Sequence, residues 1–224
     1  MFLLPSMPVV PTCAQDYPEW HKGRSVFSLW YLELHSPELL AYLEQLRAAF
    51  SDFLFQPNSR QFHITLFICG FLNSEIHSPN AQNSEAPNSA IQYQYDDFSL
   101  QHFQAHLQKL QSATLTSFKL KTGRINSFES ALFIEIEDPN NHLDRIRQQL
   151  YQCSDEIAPL RYCPHITIGL YGHALNSDEV FARIQAMEQR CFELDVQQLT
   201  FGSYTAQQLQ GELTAHHQLQ LGAQ

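Results

Sequence analysis

The chain has 224 residues, 44% of them hydrophobic, and a formal charge of −10 from 13 basic and 23 acidic side chains. That length supports one well-packed domain, with room for two lobes. The acidic balance argues against long duplex nucleic acid as a partner, because such binding relies on neutralising many phosphates with Lys and Arg, but it leaves room for a ligand with one or two phosphates.

Five cysteines (Cys13, Cys69, Cys153, Cys163 and Cys191) form no C-x-x-C pair and read as scattered thiols of a reducing compartment. The apolar start Met1–Pro5 lacks a basic region and is interrupted by Pro5, Pro8 and Pro11, so it is not read as a signal peptide. No apolar run approaches the roughly 20 residues that cross a bilayer. A cytoplasmic monomer without membrane contact is expected.

Residues 1–20, proline-rich and without periodicity, predict a loose arm. Residues 25–34 are β-branched and aromatic enough for a strand. Ser36-Pro37-Glu38 then supplies an N-cap, a proline at the first helical position and an acid in the first turn, and apolar residues keep a helical period to Phe50. A loop with Pro57 leads to a strand over about 61–71. The order recurs: a strand at 131–137, the start signal Asp138-Pro139-Asn140, a helix through Tyr151, a loop with Pro159 and a strand over about 162–171. Helices at 99–110 and 177–190 each precede a strand, at about 115–125 and 192–201, and 212–221 predicts a last edge strand. Residues 73–90, rich in Ser, Asn and Pro, predict a mobile insertion.

This repetition predicts an α+β fold. It would be a duplicated, bilobal, pseudo-two-fold domain over 21–224, with two antiparallel-rich sheets lining a central cleft and helices outside. The lobes would span roughly 21–125 and 126–224, with elements exchanged between them.

Both strands that close the repeated units carry His-Ile-Thr, as Gln61-Phe62-His63-Ile64-Thr65-Leu66-Phe67 and Cys163-Pro164-His165-Ile166-Thr167-Ile168-Gly169. Among eleven histidines roughly half a chance match to such a string is expected, so the weight lies in the matched placement rather than in the strings. Strand alternation puts His63, Thr65 and Phe67 on one face, and His165, Thr167, Gly169 and Tyr171 on one face of the other strand. Two imidazoles across a cleft suit in-line displacement at phosphorus. One takes a proton from the attacking oxygen and the other delivers one to the leaving oxygen, while the threonines bond the non-bridging oxygens. The carboxylate-rich set that would hold magnesium is missing from this pattern.

With H-x-T-hydrophobic twice, half a chain apart in a duplicated α+β frame, the sequence resembles the 2H (two-histidine) phosphoesterases over roughly residues 24–221. These include the RNA 2′,3′-cyclic phosphodiesterases long called 2′-5′ RNA ligases. The resemblance implies that His63 and His165 are the catalytic pair and that Thr65 and Thr167 bind phosphate. It also implies that no metal or other cofactor takes part, and that the substrate is a nucleotide or short RNA end with a 2′,3′-cyclic phosphate or 2′,5′-linkage. A nucleotide-binding module with little turnover, or an RNA-end ligase, would share the site. Where several members carry Arg or Tyr, five positions after the second histidine, this chain has Leu170; by parity Tyr171 is expected to take over that contact. Phe67, Trp30 or Tyr31 is expected to stack on a base. Arg60, Arg124 and Arg161 are candidates to offset phosphate charge, though each reads more readily as a solvated surface residue. His102 and His106, one turn apart with no third ligand nearby, read as an exposed helical face rather than a metal site.

Overall fold

The computed structural model describes residues 1–72, 95–157 and 161–223. After a single helical turn, α1 (Pro18–His21), the first unit runs β1 (Val26–Glu33), α2 (Pro37–Ala49) and β2 (His63–Leu72), followed by a short β3 (Asp97–Phe98), α3 (Leu100–Ser112) and β4 (Phe118–Ser127). The second runs β5 (Ala131–Glu137), α4 (His142–Tyr151) and β6 (His165–Leu170), followed by α5 (Ser177–Ala186), β7 (Glu193–Val196), β8 (Gln198–Thr205) and β9 (Thr214–Gln220). The 73–90 insertion and the loop around Pro159 lie outside the described residues.

Local sequence accounts for the helices. Ser36 Oγ accepts from the Leu39 amide at 3.3 Å with Pro37 in the first turn, and Leu39, Tyr42, Leu43 and Leu46 form the buried stripe of α2. The matching signal before α4 acts differently. Asp138 caps by accepting from the Leu143 amide at 2.7 Å, but the helix starts only at His142, after Asn141 turns through a left-handed conformation with φ 55°.

The strands join in the order β7-β4-β5-β6-β2-β1-β8-β9, with β3 paired to the end of β2. The two expected sheets are therefore two halves of one continuous sheet, fused where β2 meets β6 at the single pairing Ile64↔Ile166. The order is symmetric about that seam. Each unit's later strand crosses over: β4 pairs with β5 of the second unit, and β8 with β1 of the first. The stretch expected as one strand at 192–201 is two, because β7 pairs with β4 while β8, one residue on, pairs with β1. The helices cross as well, α2 packing against β6 and α4 against β2.

Residues 1–20 are not a loose arm. Leu3 and Val9 are buried, and the arm's amides bond across the second half: Leu3 to the Ser127 carbonyl, Val9 to that of Leu175 and Thr12 to that of Tyr171. Prolines cannot donate to a ladder, so the arm docks through isolated bridges (Phe2↔Phe128, Pro8↔Asn176) and its apolar side chains rather than as a strand.

Candidate active site

In an antiparallel pair, residues directly opposite share a face. Ile64 opposite Ile166 thus sends both isoleucines to the buried side and leaves His63, Thr65, His165 and Thr167 together on the other. The neighbouring strands extend this lattice. Glu33 lies opposite His63 and Tyr31 opposite Thr65; Glu135 lies opposite His165 and Phe133 opposite Thr167. All four correspondences keep one offset of 102 residues: 31 to 133, 33 to 135, 63 to 165 and 65 to 167. Tyr31 and Phe133 stand edge-on to His63 and His165, with ring centroids 5.8 and 5.3 Å apart. Glu33, Glu135 and Phe133 were missed by the sequence reading, which took Tyr31 only as a ring to stack on a base. Superposing the chain on itself at that offset would have found them, as Tyr-Leu-Glu-Leu against Phe-Ile-Glu-Ile.

Each imidazole is oriented by its own strand. His63 Nδ1 lies 2.9 Å from the Gln61 carbonyl oxygen and His165 Nδ1 lies 2.7 Å from that of Cys163. A carbonyl only accepts, so in both rings Nδ1 carries the hydrogen, and Nε2 of each keeps a lone pair for chemistry. Desolvation holds His63 down to about 3, helped by the nearby Arg60 charge and, less, by His165. Desolvation also lowers His165, again with a contribution from Arg60. Both rings are neutral in the free site at pH 7.

Beyond each threonine the sequence-based alternation fails, for the same reason in both halves. Trp30↔Phe67 and Tyr31↔Thr65 leave Leu66 as an extra residue, and Leu132↔Gly169 with Phe133↔Thr167 leave Ile168 as another. Such bulges shift the parity of everything after them. Phe67 is accordingly fully buried against His106 and Tyr151, and Tyr171 is fully buried with its hydroxyl 2.5 Å from Ser127 Oγ. Neither offers surface to a ligand, which corrects both assignments. Burial pushes the Tyr171 phenol up to about 12. Trp30 and Tyr31 are also buried and present no open ring face.

A bulge frees a carbonyl, and both are capped from outside the sheet. Arg147 Nη1 donates to the Leu66 oxygen at 2.5 Å, and Asn58 Nδ2 donates to the Ile168 oxygen at 3.0 Å. Gly169 leaves room for this cap, since a Cβ at that position would fall 2.5 Å from Asn58 Nδ2 and displace it. Arg147 is itself buried and paired with Glu156 at 2.6 Å.

Of the three candidate arginines, Arg124 and Arg161 are exposed, as expected, and Arg60 is not. On the His165 side, the half-exposed Phe128 stacks on Phe133 at 4.0 Å, meets His165 edge-on at 5.0 Å and is backed by Phe2 of the arm. His102 and His106 are not an exposed pair. His102 closes a capping box with Ser99, and the fully buried His106 bonds Trp30 Nε1 and Ser154 Oγ. Among the described residues no three His, Cys, Asp or Glu side chains group as a metal site, and no helix is long and apolar enough to cross a membrane.

A curled antiparallel sheet with a seam of paired His-x-Thr strands defines the two-histidine phosphoesterase class. The chain belongs to the 2′-5′ RNA ligase superfamily, whose family model matches residues 35–208. By sequence, none of the curated proteins compared with it matches. Solved structures are similar in fold. E. coli LigT complexed with 3′-AMP is 13% identical with TM-score 0.55, and LigT complexed with NADP+ is 13% identical with TM-score 0.53; in both, 88% of this chain and 98% of that chain are covered. A phosphoesterase crystal structure is 14% identical with TM-score 0.52, over 89% of this chain and 99% of that one.

Proposed function

We propose that the protein is a phosphoesterase, a cytoplasmic monomer, that opens a 2′,3′-cyclic phosphate or cleaves a 2′,5′-phosphodiester of a nucleotide or short RNA end. The observation that carries this reading is the seam at Ile64↔Ile166, with each imidazole's Nδ1 tied to a backbone carbonyl and each Nε2 without a partner among the described residues. A phosphate held between the rings receives a base from one side and an acid from the other, which is what in-line displacement requires. Thr65 and Thr167 bond its non-bridging oxygens and stabilise the charge that builds there. The LigT structures with nucleotides point the same way.

The two histidines divide the work. His63, the ring that burial and the Arg60 charge hold down to about 3, is the base that takes the proton of the attacking water. His165 is also depressed but gains a proton as the substrate's anionic phosphate enters, and passes it to the leaving ribose oxygen. The chain's own side chains carry both proton transfers.

A substrate panel tests this: 2′,3′-cyclic nucleotides, short RNAs ending in a cyclic phosphate, 2′,5′-oligoadenylates and cyclic dinucleotides, each with and without EDTA. Turnover of a cyclic phosphate or 2′,5′-linkage that survives EDTA is expected. Tight binding of nucleoside monophosphates without turnover of any of these would sink the hydrolase reading in favour of a nucleotide sensor.

A further inference from the structure

Beside His63 lies a cavity of about 250 Å³ whose lining includes Trp20, Arg60, Tyr204 and Gln210. Two of these side chains keep buried polar atoms without a partner among the described residues. Gln210 is only 9% exposed, and neither its amide nitrogen nor its amide oxygen has a hydrogen-bond partner among the described residues; Arg60 Nε is in the same position. Those three atoms are among seven such buried side-chain atoms among the described residues, so the deficit is concentrated here. An unpaired buried amide costs about 1–3 kcal/mol, and the buried Nε of a partly exposed arginine adds to that deficit in the same cavity, which marks it as a place for a ligand to complete both.

Arg60 differs from the other arginines that are not fully solvated. Arg24 pairs with Asp96 and Asp97, Arg47 with Glu44, Arg147 with Glu156 and Arg183 with Asp52. Arg60 has no carboxylate partner among the described residues, and burial without a counter-charge lowers its pKa. A partly buried cation with no carboxylate beside it wants an anion. In the proposed reaction the phosphate sits between the two imidazoles, and His63 borders this cavity, so one ribose can bridge a phosphate at the histidines and a second at Arg60.

We propose that this cavity binds a second phosphate of the substrate, on the 5′ side of the ribose whose cyclic phosphate reacts. Arg60 supplies the positive charge, and the Gln210 amide donates to a phosphate oxygen and accepts from a hydroxyl. The inference rests on the phosphoesterase reading and narrows it to substrates with two phosphates on one ribose. Two sources share that chemistry: a 5′-phosphorylated mononucleotide and the last nucleotide of an RNA chain.

The test compares adenosine 2′,3′-cyclic phosphate, its 5′-phosphorylated form and the ApA dinucleotide ending in a cyclic phosphate. Both kcat/KM and equilibrium affinity are measured for the wild type, Arg60→Met, Arg60→Lys and Gln210→Leu. The 5′-phosphate is expected to raise wild-type kcat/KM at least about 10-fold, mostly through KM, as a charge-assisted contact would. That ratio should fall to near one in Arg60→Met, recover in part in Arg60→Lys and fall several-fold in Gln210→Leu. Preference for the dinucleotide over the 5′-phosphorylated mononucleotide identifies RNA ends as the source, and the reverse preference identifies mononucleotides. No 5′-phosphate advantage in the wild type overturns the proposal. So does an equal loss on all three substrates in Arg60→Met, which would assign Arg60 to the reacting phosphate. If no cyclic phosphate is opened at all, the phosphoesterase reading fails, and the affinity ratio still decides whether the cavity takes the second phosphate.

Discussion

The two half-sites share a backbone and differ in what surrounds it. Glu33, Tyr31, His63 and Thr65 on one side repeat as Glu135, Phe133, His165 and Thr167 on the other, and each motif strand bulges three residues after its histidine. Around that common lattice the first half is polar and cationic, with Arg60 and an unpaired Gln210 next to His63. The second is aromatic, with Phe128, Phe133 and Phe2 packed beside His165. Symmetry persists in the paired strands that carry the two histidines and threonines, the groups that the proposed displacement at phosphorus uses in equivalent roles. It is lost in the surroundings, as the proposed substrate would require, since a nucleotide has no two-fold axis and must be held in one direction.

The bulge caps differ most in energy, and their disruption gives the largest expected effect. Arg147→Met leaves Glu156 buried without its partner and should destabilise the fold by about 3–5 kcal/mol. Asn58→Ala removes one donor from the Ile168 carbonyl and also an amide oxygen that is itself unpaired, so about 1 kcal/mol is expected. Chemical denaturation of the two variants would expose the contrast; equal losses would mean that the bulge carbonyls, and not the ion pair, dominate.

On the proposed function, removing either histidine should break catalysis with the fold intact. His63→Ala and His165→Ala are each expected to lose cyclic-phosphate opening by at least a few hundred-fold. Near-full activity in either variant would end the two-histidine mechanism.

The comparison sharpens under acid. The folded-state pKa of His63 lies near 3 and its unfolded value near 6.5, so between those values the unfolded chain binds more protons. Stability should therefore be fully present above about pH 6.5 and decline as pH falls toward 3. His63→Gln should flatten that slope. Imidazole NMR should find His63 still neutral at pH 5; a midpoint near 6.5 would remove the basis for naming it the base.

Much of this was legible in the chain because it rests on local rules. The His-Ile-Thr strands, the Ser36 cap and the repeated order of elements follow from periodicity and turn chemistry. The failures share a physical source in pairing across the sheet. Nothing in Leu66 or Ile168 announces a bulge, and without it Phe67 and Tyr171 fall on the wrong face. The split of β7 from β8 is equally hidden, because two strands that pair with opposite halves can read as one run. The arm misled because prolines suggest a loose segment, whereas Leu3 and Val9 bury themselves between them.

Tyr171 carries the smallest expected effect and is the plainest check on the corrected parity. As a substrate contact, its hydroxyl would matter to kcat/KM and hardly to folding. Buried, with its hydroxyl bonded to Ser127, it should behave the other way. Tyr171→Phe leaves Ser127 Oγ able to donate to the Phe128 carbonyl at 2.7 Å, so only one hydrogen bond is lost, worth about 1 kcal/mol. Turnover of a cyclic nucleotide should stay within about two-fold of wild type while the unfolding midpoint falls, since a loss confined to the ground-state fold does not touch transition-state binding. A ten-fold fall in kcat/KM with unchanged stability would return Tyr171 to the cleft and overturn the bulge at Ile168 as the reason it left.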